Sequence, residues 1–103
     1  MRVILCTTPV ELAETMARGL VESRVVACVN VVPRVRSIYR WEGEVEQEDE
    51  ALLIMKTTAE RVESVIDRVR RAHPYDVPEV VALPIEEGLP EYLSWLVDQV
   101  REP

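Results

Sequence analysis

Between Val25 and Thr57 the chain reads VVACVNVVPRVRSIYRWEGEVEQEDEALLIMKT, and no other stretch limits the fold so tightly. Apolar residues hold the odd positions Val25, Ala27, Val29, Val31, Val35, Tyr39 and Trp41, while Asn30, Arg34, Arg36 and Arg40 fall on even ones. A period of two is that of a strand with one covered face. Glu42-Gly43 interrupts the run and a second one follows from Glu44 to Lys56, so the stretch reads as one long β-hairpin. At about 3.3 Å per residue, arms of roughly 15 residues reach about 50 Å. A domain of this length has a radius of gyration near 13 Å and is roughly 35 Å across. The far end of the hairpin must therefore overhang its own domain or bend back over it. Val35, Ile38, Tyr39 and Trp41 sit on that end, and apolar groups on an overhang mark an interface. Self-association through these four residues is the expectation, since most soluble oligomers are closed homo-oligomers. A bend at Pro33, which cannot donate to a ladder, is the alternative.

The segments around the hairpin complete a pattern. Arg2 to Thr7 is a short apolar run that reads as a strand buried on both faces. Thr8-Pro9-Val10-Glu11 matches a capping box, and Leu12, Ala13, Met16, Ala17, Leu20 and Val21 then recur at helical spacing. Thr57-Thr58-Ala59-Glu60 repeats the capping signal before Val62, Val65, Ile66 and Val69. HPYDVPE, residues 73–79, is irregular; Val80 to Ile85 reads as a strand; Pro90 opens a last helix with Leu93, Leu96, Val97 and Val100 on its core face. The order βαββαβ plus a C-terminal helix predicts an α+β, ferredoxin-like domain over 1–103 with an antiparallel sheet. Helices on one face of such a sheet leave the other face in need of cover. Register in the hairpin stays open: a two-residue turn at Glu42-Gly43 opposes Trp41 to Glu44 and Tyr39 to Glu46, and a bulge would shift both. Arg34, Arg36 and Arg40 are placed to pair across to the acids of Glu44–Glu50.

Composition narrows the partners. The net charge is −7, which disfavours nucleic acid. No apolar run approaches the roughly 18 residues that span a membrane, and MRVILCTTPVE lacks the features of a secretory leader. A cytoplasmic protein is expected, with Cys6 and Cys28 as free thiols.

Few residues carry chemistry. His73 is the one histidine; it is a metal ligand or, more simply, caps the helix before it. Cys6 offers a soft thiolate or packs as a small hydrophobe. Neither cysteine lies in a CxxC or CxxH spacing, so a site built from Cys6 and His73 requires the fold to bring them together, with a carboxylate such as Glu79 beside them. Lys56 is an anion contact or an ion-pair partner, and Asn30 reads as a buried hydrogen-bonded group. No Gly-rich phosphate loop and no nucleophile elbow is present, which speaks against an enzyme.

ACVNVVP (Ala27–Pro33), SIYRWEG (Ser37–Gly43), KTT (Lys56–Thr58), HPYDVPE (His73–Glu79) and YLSW (Tyr92–Trp95) together resemble the CutA divalent-cation-tolerance proteins over nearly the whole chain. The resemblance implies a ferredoxin-like homotrimer, similar to the PII signalling proteins, with clefts between subunits. It further implies a non-catalytic cytoplasmic role in tolerance of copper or another divalent cation. Metal ligands proposed in the family fall here on Cys6 and His73; a second histidine that some relatives carry is here Ala72. The alternative reading is a trimer that binds a small anionic metabolite in the inter-subunit cleft, using Lys56, Tyr75, Glu79 and Trp95.

Overall fold

Alternating side chains fix one face of the sheet, and the helices find it. The computed structural model describes residues 1–101. Strand β1 (Arg2–Thr8) lies between β3 (Glu44–Thr57) and β4 (Val80–Pro84), and β2 (Cys28–Trp41) pairs on the outer side of β3. All three pairings are antiparallel, in the order β2-β3-β1-β4 of a ferredoxin-like sheet. Ile4, Cys6, Leu53 and Met55 are fully buried on one face, under Met16, Ala17 and Leu20 of α1 (Ala13–Glu22) and Val65 and Val69 of α2 (Val62–Ala72). The opposite face carries Val3, Leu5, Leu52, Ile54, Val81 and Leu83, and Val81 and Leu83 remain about half exposed (47% and 48%). Strand β1 is thus covered on one face and not on both.

Helix α3 (Pro90–Val100) covers one corner of that second face. Leu96 and Val100 pack on Ala27 and Met1. Its last carbonyls, which a helix end leaves without partners, accept from guanidinium groups: Arg24 Nε donates to Gln99 O at 3.2 Å and Arg61 Nε to Val100 O at 2.9 Å.

Neither capping box forms. Thr8 is the last residue of β1 and a short 3-10 turn, Val10–Leu12, precedes α1. Thr57 stays in β3 and donates its hydroxyl to Val25 O at 2.6 Å, because a buried hydroxyl beside a carbonyl of the bend that precedes β2 has a better partner there than at a solvent-facing helix start.

The hairpin is long, as its sequence requires. The molecule measures 45 × 26 × 22 Å with a radius of gyration of 14.2 Å. Glu42 (φ 50°) and Gly43 (φ 82°) form a two-residue turn with both φ positive, so Trp41 faces Glu44 and Tyr39 faces Glu46. The irregularity sits elsewhere. Val32 pairs with Leu52 but Val35 pairs with Glu50, so Pro33 and Arg34 together oppose Ala51 alone. This one-residue bulge inverts the strand. Val29 and Val31 face the helices beside Met55 and Leu53, whereas Val35, Tyr39 and Trp41 face the other way beside Glu50, Glu46 and Glu44. The apolar odd positions therefore form two half-stripes on opposite faces, not the single covered face that their spacing predicts. Beyond the bulge the two arms pair only with each other, since β1 reaches no farther along β3 than Ala51.

Candidate functional site

The flipped face of the far hairpin meets the 74–79 loop. Between them lies a cavity of about 630 Å³ lined by Ser37, Tyr39 and Trp41 of β2, Glu46, Glu48 and Glu50 of β3, Thr7, and Pro74 to Val77 with Glu79. Among its described lining residues there is no Arg, Lys or His. Glu46, Glu48 and Glu50 alternate along one strand and so share one face. Glu50 is 4% exposed. The Tyr75 hydroxyl donates to Glu48 Oε2 at 3.2 Å, and burial, followed by the charge of Glu50 and a hydrogen bond to it, holds the phenol above its ordinary range. Two of the three arginines expected to pair with the acids of Glu44–Glu50 do so, but with Asp49 and none of these glutamates. Arg34 and Arg36 both reach Asp49, at 2.8 and 3.5 Å, on the opposite face, and Arg40 lies across from Val45.

Cys6 and His73 lie behind the Thr7 wall of this cavity. The His73 ring nitrogen Nε2 donates to Thr7 O at 2.8 Å, and Nδ1 accepts from the Tyr75 amide at 3.2 Å. The Cys6 thiol donates to that same Thr7 carbonyl at 3.5 Å. The fold therefore brings Cys6 and His73 to one oxygen atom, although 66 residues separate Thr7 from His73. His73 is also the residue that ends α2, with its amide on Val69 O at 2.8 Å, but its ring serves the strand rather than the helix. Tyr75 lies edge-on to the imidazole with centroids 4.5 Å apart. Burial, and then the nearby charges of Glu79 and Glu50, push the Cys6 thiol up to about 12, so it holds its proton at neutral pH.

Other residues singled out by sequence lie apart from this cavity. The Lys56 ammonium donates to Asn30 Oδ1; Asn30 is exposed and not buried. Cys28 opposes Lys56, and its sulfur is 3.4 Å from the Tyr92 hydroxyl. Tyr92 stacks on Trp95 at 5.6 Å, and its phenol is raised to about 12, first by the Cys28 contact and then by burial. So within one chain Tyr75 and Glu79 share the acidic cavity, while Lys56 and Trp95 lie toward α3. An anion in the cavity would meet carboxylates. Ile38 (64% exposed), Tyr39 and Trp41 all lie open on the far hairpin and Val35 is half-buried.

Sequence reading missed Glu46, Glu48, Glu50 and Asp76 as lining residues. For the three glutamates the signal was present: glutamate at every second position from 44 to 50 marks one strand face.

The donor chemistry can be weighed against a metal. A thiol and an imidazole suit a soft ion. Among the described residues no group of three or more His, Cys, Asp or Glu side chains is placed to hold one. The pair therefore fits a soft ion of low coordination and does not make a full divalent ligand set.

Comparison with known proteins gives consistent matches. Residues 2–99 match the family described as CutA1 divalent ion tolerance protein. The chain is similar to a divalent-cation tolerance protein CutA from Thermus thermophilus, 55% identical over 91% of this chain and 92% of that one. Among solved structures, a Cut A1 divalent cation tolerance protein from the same organism superposes with a TM-score of 0.94 at 51% identity, covering 98% of this chain and all of that one. A structure described as PII-like protein CutA from Nostoc sp. PCC 7120 gives 0.93 at 38% identity, covering 98% of each. The chain spans 51% of the length of the human and mouse relatives that it matches.

Proposed function

The chain belongs to the CutA1 divalent ion tolerance family, and from there we propose that it acts in tolerance of copper and related heavy-metal ions as a non-catalytic, cytoplasmic homotrimer. One observation carries the metal reading: the Cys6 thiol and the His73 ring converge on Thr7 O directly behind a carboxylate-lined cavity. The carboxylates raise the local cation concentration. Behind them stand one sulfur and one nitrogen donor, which favour a soft ion such as Cu(I). The Cys6 thiol must lose its proton to ligate, so binding releases protons and tightens as pH rises. His73 must give up one of its two present hydrogen bonds, which makes the site a responsive one: binding would loosen the Thr7 or Tyr75 contact and so reach the hairpin through Tyr75 and Glu48.

Assembly is supported by what the single chain leaves uncovered. The sheet's second face and the far hairpin present Leu83, Val81, Ile38, Trp41 and Val45 to solvent. Free thiols at Cys6 and Cys28 suit a reducing compartment. Anaerobic titration with Cu(I) and with Zn(II), followed by competition with a chromophoric chelator, tests the ligands. Stoichiometric Cu(I) binding is expected, weakened by about tenfold or more (about 1.4 kcal/mol) in Cys6→Ala and in His73→Ala. If both variants bind like the parent, these residues are not the ligands. Native mass spectrometry tests the trimer, for which three chains per particle are expected.

A further inference from the structure

Helices α1 and α2 lie on the sheet face away from the apolar groups that assembly would cover, and a cleft of about 400 Å³ runs between them. Leu12, Met16, Gly19 and Leu20 line it from the α1 side, and Arg68 and Arg71 from the α2 side. Met16 and Leu20 belong to the buried core, so the cleft opens directly over it. Gly19 has no reason within its own chain to be glycine. It lies inside α1, its φ is not positive, and a Cβ built on it meets nothing within 4 Å. Glycine inside a helix costs stability against alanine. What its bare backbone does here is keep the cleft open, and close approach of a second molecule is one use of glycine. The rim of the cleft is basic, on a chain whose net charge is −7. Arg68 and Arg71 also line an adjoining cavity of about 610 Å³, where Arg24 and Arg61 join them against Glu22 and Asp67. Arg71 pairs with Asp67, and Arg24 and Arg61 reach carbonyls at the end of α3. Arg68 is exposed and has no ion pair or hydrogen bond among the described residues, so its charge is available to a partner.

We propose that the cleft between α1 and α2 docks an acidic amphipathic helical segment of a partner protein, with aliphatic side chains on Leu12, Met16 and Leu20 and carboxylates on Arg68 and Arg71. The ten residues of α1 give the cleft a length of about 15 Å, the reach of a helix anchored at i, i+3, i+4 and i+7. Complementarity to the guanidinium rim sets the sign of the partner's charge, and the apolar floor sets its other face. Gly19 lets the docked backbone come close. Affinity falls with salt, because the arginines of the rim are exposed and their attraction is screened.

Fluorescence anisotropy of the purified native assembly tests this with a labelled synthetic helical peptide of about four turns, leucine at i, i+3, i+4 and i+7 and glutamate between them. The glutamate peptide is expected to bind at least about tenfold more tightly than a version with lysine for glutamate, and than a scrambled version of the same composition. Arg68→Ala is expected to weaken it by about threefold. Gly19→Met puts a side chain into the cleft without meeting its own chain, so about a tenfold loss is expected with a thermal midpoint no lower than the parent's. No binding of the glutamate peptide, equal binding of either control, or unchanged affinity in Gly19→Met overturns the proposal. So does binding of oleate in place of the peptide, which would make the cleft a lipid groove. A changed number of chains per particle in Gly19→Met also overturns it, since the cleft would then be a contact between copies. Neither Cys6 nor His73 lines the cleft, so failure here leaves the Cu(I) titration standing, and the reverse.

Discussion

The two halves of the hairpin are built from the same alternation and behave oppositely. Below the bulge, Val29 and Val31 lean on Met55 and Leu53, with α1 over them and β1 on the far side of β3. Above it, Val35, Tyr39 and Trp41 look away from the helices and share their face with Glu50, Glu46 and Glu44, in a ribbon of two strands that β1 no longer flanks. A two-stranded ribbon is marginal by itself in water. The near half therefore holds the fold, and the far half carries the cavity and the exposed apolar groups that self-association would cover.

The sharpest way to break this comparison is a pair of truncations. Leu53→Ala, at a fully buried site, is expected to cost about 2–5 kcal/mol in urea unfolding. Ile38→Ala, 64% exposed, is expected to stay within about 0.5 kcal/mol at high dilution. Its cost should grow with protein concentration if the far half is an interface, because assembly stabilises by mass action. A concentration-independent loss at Ile38 would make the far half part of the fold.

An alkaline limb comes next. The Cys6 thiol is held at about 12 in the folded chain against 9.0 ordinarily. The unfolded chain loses this proton first, so stability is level below about pH 9, falls between about 9 and 12, and loses at most about 4 kcal/mol. Comparing urea midpoints at pH 8 and pH 11 should show a smaller drop in Cys6→Ala than in the parent. Equal drops would mean that other groups carry the alkaline loss.

Thr57→Val sharpens the near half from its polar side. It preserves shape and strands Val25 O, for an expected cost of about 1–2 kcal/mol by thermal unfolding. At the far tip, Gly43→Ala meets open space but adopts φ 82°, so about 1 kcal/mol of backbone cost is expected and no packing loss. Should Gly43→Ala change assembly more than stability, the turn would be setting the direction of the overhang.

Much of the element order was legible because it obeys local rules. The place of the turn at Glu42-Gly43 and the strands on either side follow from the period, whereas the choice of a two-residue turn over a bulge came from the structure, which opposes Trp41 to Glu44. The helices were placed by spacing, and their starts were misread because Thr8 and Thr57, good caps in isolation, are claimed by strands. The candidate site was legible only in pieces. Cys6, His73, Tyr75 and Glu79 stood out by type. The row of glutamates was visible as an alternation, but of the acids in Glu44–Glu50 the arginines reach only Asp49, on the other face.

Sequence alone therefore determined the element order, the place of the turn, the length that forces an overhang, and the family, since each is encoded by neighbours within a few residues or by ordered blocks of them. Tertiary structure decided which face the far hairpin presents and that Cys6 and His73 meet at Thr7 O. The physical reason is that a ladder with a period of two is inverted by one extra residue, and alternation reads the same on either side of Pro33 and Arg34. Only the partner strand, by leaving Ala51 alone against that pair, settles the direction in which the side chains beyond them point.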